Sequence, residues 1–182
     1  MVLAFSSCKK NEVQKTQNRT DSVLQNTGTV PSKTPDRQNS TEYKKFSGAW
    51  FDVEYPSTFK GENSLKSYTN SEGFDSAVFT SPDGKVQFYV FSPQWSGEPT
   101  DIKVKPGEHI FENSEEEKNG LLVKRWTVKA NDGSYSRSYE ETSEDVSHTN
   151  KVFGIKYASE SDLENYRDEY LHFKNSLIQY GD

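Results

Sequence analysis

Aromatic side chains supply much of the surface a small domain can bury, and in this chain they are confined to one stretch. Of 24 aromatics, 23 lie between residues 43 and 182, and residues 9–42 contain none. Each aromatic side chain removes roughly 150–250 Å² from water, so a core has to form within 43–182. Residues 9–42 carry only Val13, Val23, Leu24 and Val30 as larger apolar side chains among Ser, Thr, Asn, Gln, Pro31 and Pro35. That is too little apolar surface to offset the entropy of ordering the segment, so it is expected to be a disordered polar tether. As a flexible chain its 34 residues have a reach of about 30–35 Å. The overall apolar share of 31%, against about 45–50% in ordinary domains, is lowest in residues 9–42, where four of 34 are apolar. A length of 182 residues fits one domain plus additional chain. The expected organisation is a short leader over 1–8, a tether over 9–42 and one globular domain over 43–182.

Several classes are excluded by simple counts. No run approaches the roughly 18 apolar residues of a spanning helix. One cysteine makes no disulfide, zinc cluster or redox pair. The tail holds six cationic and four anionic side chains, a balance of +2 within a total of −6, which leaves −8 for the remainder. An acidic domain repels phosphate backbones, so nucleic acid is not an expected partner.

The first ten residues read Met1-Val2-Leu3-Ala4-Phe5-Ser6-Ser7-Cys8-Lys9-Lys10. An apolar stretch, two small residues and then Cys resembles the end of a bacterial lipoprotein signal peptide, in which the Cys receives lipid and becomes the new N-terminus. Phe5 stands where such signals usually have Leu, and the charged region and most of the apolar region that precede such a site are missing, so Met1 is expected to be an internal start. The resemblance implies a lipid on Cys8, attachment to a membrane through it and a place in the cell envelope, expected to be the outer membrane facing the periplasm. Asp21-Ser22-Val23 also resembles a short bacterial O-glycosylation site, a match of three residues.

Within 43–182 the strands are legible as alternation. Phe51, Val53 and Tyr55 share one face of a run that Pro56 stops. Residues 77–80 and 85–91 form a hairpin around Ser81-Pro82-Asp83-Gly84, and the second arm is apolar on both faces, hence central. Residues 121–129 and 134–141 form another around Asn131-Asp132-Gly133, and 151–157 is the last strand. Residues 57–76 and 92–118, punctuated by Gly and Pro, read as loops, with Ile102-Lys103-Val104 the best additional strand. The closing segment has capping-box spacing at Ser161-Asp162-Leu163-Glu164, and Leu163, Tyr166, Tyr170, Phe173 and Leu177 recur every three or four residues, which predicts one helix with a single apolar stripe. Strands followed by a helix that must bury that stripe make an α+β fold, an antiparallel sheet packed by a C-terminal helix.

The strand Phe51-Asp52-Val53-Glu54-Tyr55-Pro56, the central hairpins and the closing helix ending Phe173-Lys174-Asn175-Ser176-Leu177 together resemble the PsbP/Mog1-like group over about 130 residues. The resemblance implies an antiparallel sheet flanked by helices and a non-catalytic binding or assembly role. The chain departs from that pattern in having no evident helix after Pro56.

Sequence motifs for catalysis are missing: there is no phosphate loop, nucleophile elbow, zincin helix or calcium loop. His109, His148 and His172 have no metal-ligand spacing. Glu112 with Glu115-Glu116-Glu117, and Glu140-Glu141 with Glu144, Asp145 and His148, read as solvated charged loops; a hydrolase using residues 140–148 is the alternative from another class. No catalytic, metal-binding or cofactor-binding residue is assigned, and no cofactor is expected. Trp50 and Trp126 lie in strand patterns and are expected in the core. Trp95, in Ser92-Pro93-Gln94-Trp95-Ser96-Gly97-Glu98-Pro99-Thr100-Asp101, follows a central strand in a loop stiffened by Pro. It is read either as a lid on the sheet or as an aromatic contact for a partner, with Pro93, Gln94 and Asp101 beside it. The expected function is a membrane-anchored envelope protein whose domain binds a protein or small ligand without catalysis, with an assembly factor for an envelope complex as a further alternative.

Overall fold

In the computed structural model the described residues are 41–95, 97–144 and 149–180. All lie within the unit Gln38–Asp182. Cys8 and the 9–40 part of the expected tether fall outside them.

Two sheets and a broken helix share one core. A three-stranded sheet has the order β1-β2-β10, with β1 at Tyr43–Ser47, β2 at Phe51–Pro56 and β10 at Ile178–Gln179. A seven-stranded sheet runs β3-β4-β5-β9-β8-β7-β6, comprising β3 (Lys60–Asn63), β4 (Ser76–Thr80), β5 (Val86–Phe91), β6 (Glu108–Lys118), β7 (Leu121–Ala130), β8 (Ser136–Glu144) and β9 (Thr149–Tyr157). Every pairing is antiparallel. Helices α1 (Glu160–Asn165) and α2 (Arg167–Asn175) close the chain before β10.

Period-two alternation decides which face each residue meets. Val86, Phe88 and Val90 on β5 and Phe153, Ile155 and Tyr157 on β9 face the main core, where Phe51, Val53 and Tyr55 of the small sheet and Phe173 of α2 meet them. Phe173 is fully buried, with the rings of Phe79, Phe88 and Phe153 at 5.4, 5.3 and 5.7 Å. The intervening residues build a second, smaller cluster on the opposite face from Tyr89, Phe91, Tyr139, Val152 and Ile102. The central strand β5 is thus buried on both sides, as its doubly apolar pattern requires. Gly154 sits there because a Cβ at that position would lie 2.5 Å from the Tyr139 ring.

Four expectations are corrected. The stretch 92–118 contains the 11-residue strand β6, which shows no apolar alternation because it is the exposed edge of the sheet; pairing with β7 alone defines it. Its turn is Asn119-Gly120, with φ of 55° and 77°, the signature of a two-residue hairpin loop. Residues 57–76 likewise hold β3. Ile102-Lys103-Val104 is not a strand: residues Thr100–Ile102 form a 3-10 turn, since the carbonyls of Ile102 and Lys103 accept hydrogen bonds from Arg137 instead of from a neighbouring strand. The closing helix breaks at Tyr166 and begins earlier than its sequence spacing predicts. Ser159 is the N-cap, its hydroxyl accepting from the Asp162 amide at 3.2 Å. Leu163, Tyr166 and Tyr170 pack on the main core on both sides of the break, so the stripe survives it.

Candidate functional site

The loop after β5 is tied down at several points. The Ser92 amide donates to the Asp75 carbonyl at 2.8 Å, and the Ser92 hydroxyl accepts from Gln179 Nε2 at 2.9 Å. Pro93 and Gln94 are buried. Buried Asn150 donates through Nδ2 to the Gly97 carbonyl at 2.7 Å. Further on, Ile102 inserts into the second cluster, and the Asp101 carboxylate accepts from the hydroxyls of Tyr89, Ser64 and Ser76 at 2.7, 2.6 and 2.9 Å. Between these fixed points the Trp95 side chain stands out, 52% exposed. Of the four residues singled out in this loop, Trp95 is therefore available at the surface, Pro93 and Gln94 form the buried base beneath it, and Asp101 is half-buried in a hydroxyl network that fastens the loop to β4 and β5.

Below the 3-10 turn lies the strongest buried polar cluster. Arg137 and Glu108 form a two-pronged ion pair with side chains 6% and 2% exposed, Nη2 to Oε2 at 2.5 Å and Nε to Oε1 at 2.9 Å. The Tyr135 hydroxyl and the Lys105 amide also donate to Glu108, each at 2.7 Å. Burial alone would raise the Glu108 pKa, but the hydrogen bonds from Arg137 and Tyr135 outweigh it and hold the group at about 2. Remaining Arg137 N–H groups reach the Ile102 and Lys103 carbonyls and the Tyr139 hydroxyl. Neither Arg137 nor Glu108 stood out in the sequence. The available signal was Arg137 midway between Tyr135 and Tyr139, a charge at an inward-facing position of a strand.

The acidic clusters take different forms. Glu112 and Glu115 to Glu117 lie on exposed β6, where charge discourages edge-to-edge pairing. Glu140 accepts from Arg125 Nε at 2.7 Å and Lys174 Nζ at 2.6 Å. Burial works to raise its pKa, yet Lys174 and Arg125 prevail and lower it. That is the reverse of the raised pKa of a general acid; Lys174 latches α2 to the sheet through Glu140, and Arg125 ties β7 to β8, beside a hollow of about 310 Å³. Asp145 and His148 fall outside the described residues. His172 stacks on Tyr43 at 3.7 Å and hydrogen-bonds Glu54, and His109 hydrogen-bonds Asn131. Among the described residues no group of three or more His, Cys, Asp or Glu is placed to hold a metal ion, and no helix is long and apolar enough to cross a membrane. Trp50 and Trp126, expected in the core, are half-buried: the Trp50 indole donates to Thr69 at 2.8 Å, and Trp126 stacks on Tyr139 at 5.3 Å.

No protein-family model matches the chain, and no curated protein matches it. Among solved structures it is similar to the cyanobacterial PsbP, CyanoP, of Synechocystis, at 10% identity and a TM-score of 0.47 over 83% of this chain and all of that one. It is also similar to the Ran-binding protein Mog1p of Saccharomyces cerevisiae, at 8% identity and a TM-score of 0.40 over 78% of this chain and 97% of that one. The α+β class rests on the strand order and layering of the chain itself: antiparallel sheets packed by a C-terminal helical pair.

Proposed function

We propose that this chain is a non-catalytic binding protein held at the cell envelope by lipid on Cys8, and that Trp95 is the anchor by which its domain engages a partner protein. The observation that carries this reading is an indole 52% exposed on a loop whose base, Pro93 and Gln94, is buried. A large apolar side chain on a pre-fixed backbone gains contact area without the ordering cost that a mobile loop would incur. The partner surface has an apolar pocket for the indole and a basic rim, because the acidic domain steers cationic surfaces towards itself. Attachment through Cys8 and a polar tether places this loop within reach of membrane-associated partners.

The test uses a photo-crosslinking residue at exposed Glu98 in the full-length protein in its native membrane. One adduct of defined mass is expected, and Trp95→Ala should abolish it while leaving folding stability within about 0.5 kcal/mol. An adduct that persists in Trp95→Ala, or a loss of several kcal/mol in stability, would overturn the anchor. In the same preparation Cys8→Ala should move the protein from the membrane to the soluble fraction; retention in the membrane would overturn the lipid attachment.

A further inference from the structure

The face of the large sheet turned away from the main core sets two cations side by side. Lys156 on β9 is the registered neighbour of Arg137 on β8 and of Gln87 on β5. Like charges directly opposite each other in a sheet are destabilising. Arg137 is ion-paired with Glu108, whereas Lys156 forms no ion pair among the described residues and feels Glu108 only as a charge beyond ion-pair distance. Its ammonium lies 4.0 Å from the centre of the Tyr135 ring. Burial, and then the charges of Lys105 and Arg137, lower its pKa. The contact with the Tyr135 ring offsets part of the repulsion between the two cations.

Lys156 and Lys105 line a hollow of about 210 Å³. Hydrogen-bond accounting shows what the hollow lacks. Two carboxylates line it: Asp101 accepts from three hydroxyls, and Glu108 accepts four bonds, two from Arg137 and one each from Tyr135 and the Lys105 amide. A lysine ammonium has three donors, and among the described residues neither Lys156 nor Lys105 directs one at an acceptor.

We propose that this hollow is an oxyanion site, in which Lys156, flanked by Lys105 and Gln87, binds one carboxylate or phosphate group of a small ligand. The bound anion pairs with Lys156 and relieves its repulsion from Arg137. The 3-10 turn and the Arg137–Glu108 pair form its rigid wall. This site is independent of Trp95, and neither reading depends on the other.

The experiment titrates the full chain with inorganic phosphate, with acetate and with chloride at matched ionic strength, following backbone amide resonances and the thermal midpoint. Saturable shifts at Gln87, Lys156 and Arg137 and a raised midpoint are expected with at least one oxyanion and not with chloride. A response to phosphate alone assigns a phosphate group, and a response to acetate alone assigns a carboxylate. Lys156→Gln should weaken binding by about tenfold or more and Lys105→Gln by about threefold, as expected for lost charge-assisted hydrogen bonds. In chloride, Lys156→Gln should melt no lower than the wild type, because the variant removes a like-charge contact; a structural lysine would show a lower midpoint. Equal responses to all three anions, equal affinity in wild type and both variants, or a Lys156→Gln variant that melts lower or fails to fold would each overturn the site.

Discussion

At the scale of single residues, the tightest constraint is the Arg137–Glu108 pair, because both charges have left water and each must be met in full. Removing one member strands the other, at a cost of about 3–5 kcal/mol. Glu108→Gln should therefore lower the urea midpoint by that equivalent, and a loss near zero would show that the pair is solvated. The folded-state pKa of about 2 lies below the ordinary value of 4.5. A depressed carboxylate contributes stability that is whole above the unfolded value and disappears as pH falls through the folded one. Between about pH 5 and pH 2 the wild type should thus lose more stability than Glu108→Gln does, as read from urea curves across that range. Parallel pH dependence in the two proteins would contradict the ion pair. Arg137 was legible only as a charge between two tyrosines on one strand face, and Glu108 not at all. Its side-chain partners are Tyr135, just before β8, and Arg137 on β8, 27 and 29 residues on, and sequence spacing carries no record of such a contact.

At the scale of elements, alternation and the helical stripe exposed most of the fold. β2, the β4–β5 hairpin, the β7–β8 hairpin, β9 and the closing helical stripe each bury at least one face, so apolar residues mark that face at the period of the element, and β5, buried on both faces, is apolar at all but one position. Phe173 carries the most of that stripe. Phe173→Ala should cost about 3–5 kcal/mol, since transfer and cavity terms add, and a loss under about 1 kcal/mol in chemical denaturation would contradict its fit among Phe79, Phe88 and Phe153. β6 and β3 escaped notice for the opposite reason. An exposed edge strand buries neither face, so hydrophobic period has nothing to report. The legible trace of β6 was its turn, Asn119-Gly120, where two adjacent positive φ angles suit those residue types. The break at Tyr166 had no comparable mark in the helical spacing.

At the scale of the whole molecule, the chain divides by composition before it divides by structure. Deleting residues 1–40 should leave the thermal midpoint within about 4 °C, the shift that roughly 1 kcal/mol makes in a domain near this size. A larger fall would mean that those residues pack on the domain. The cut belongs before Thr41, because the Glu42 carbonyl accepts from the Ser57 amide at 2.7 Å and the Thr41 hydroxyl donates to Glu169 at 3.3 Å. The sequence by itself determined where a core could form, which faces the main strands bury, that the class is α+β, and which loop carries a Trp on a backbone stiffened by Pro. These follow from local period, apolar area and backbone restriction, all properties of near neighbours along the chain. Tertiary structure alone decided the division into two sheets, the strand status of β6, the fastening of Asp101 by three hydroxyls and the placing of Lys156 beside Arg137. Each of these depends on strand register between segments far apart in sequence, and register is settled by the packing of both sheet faces at once.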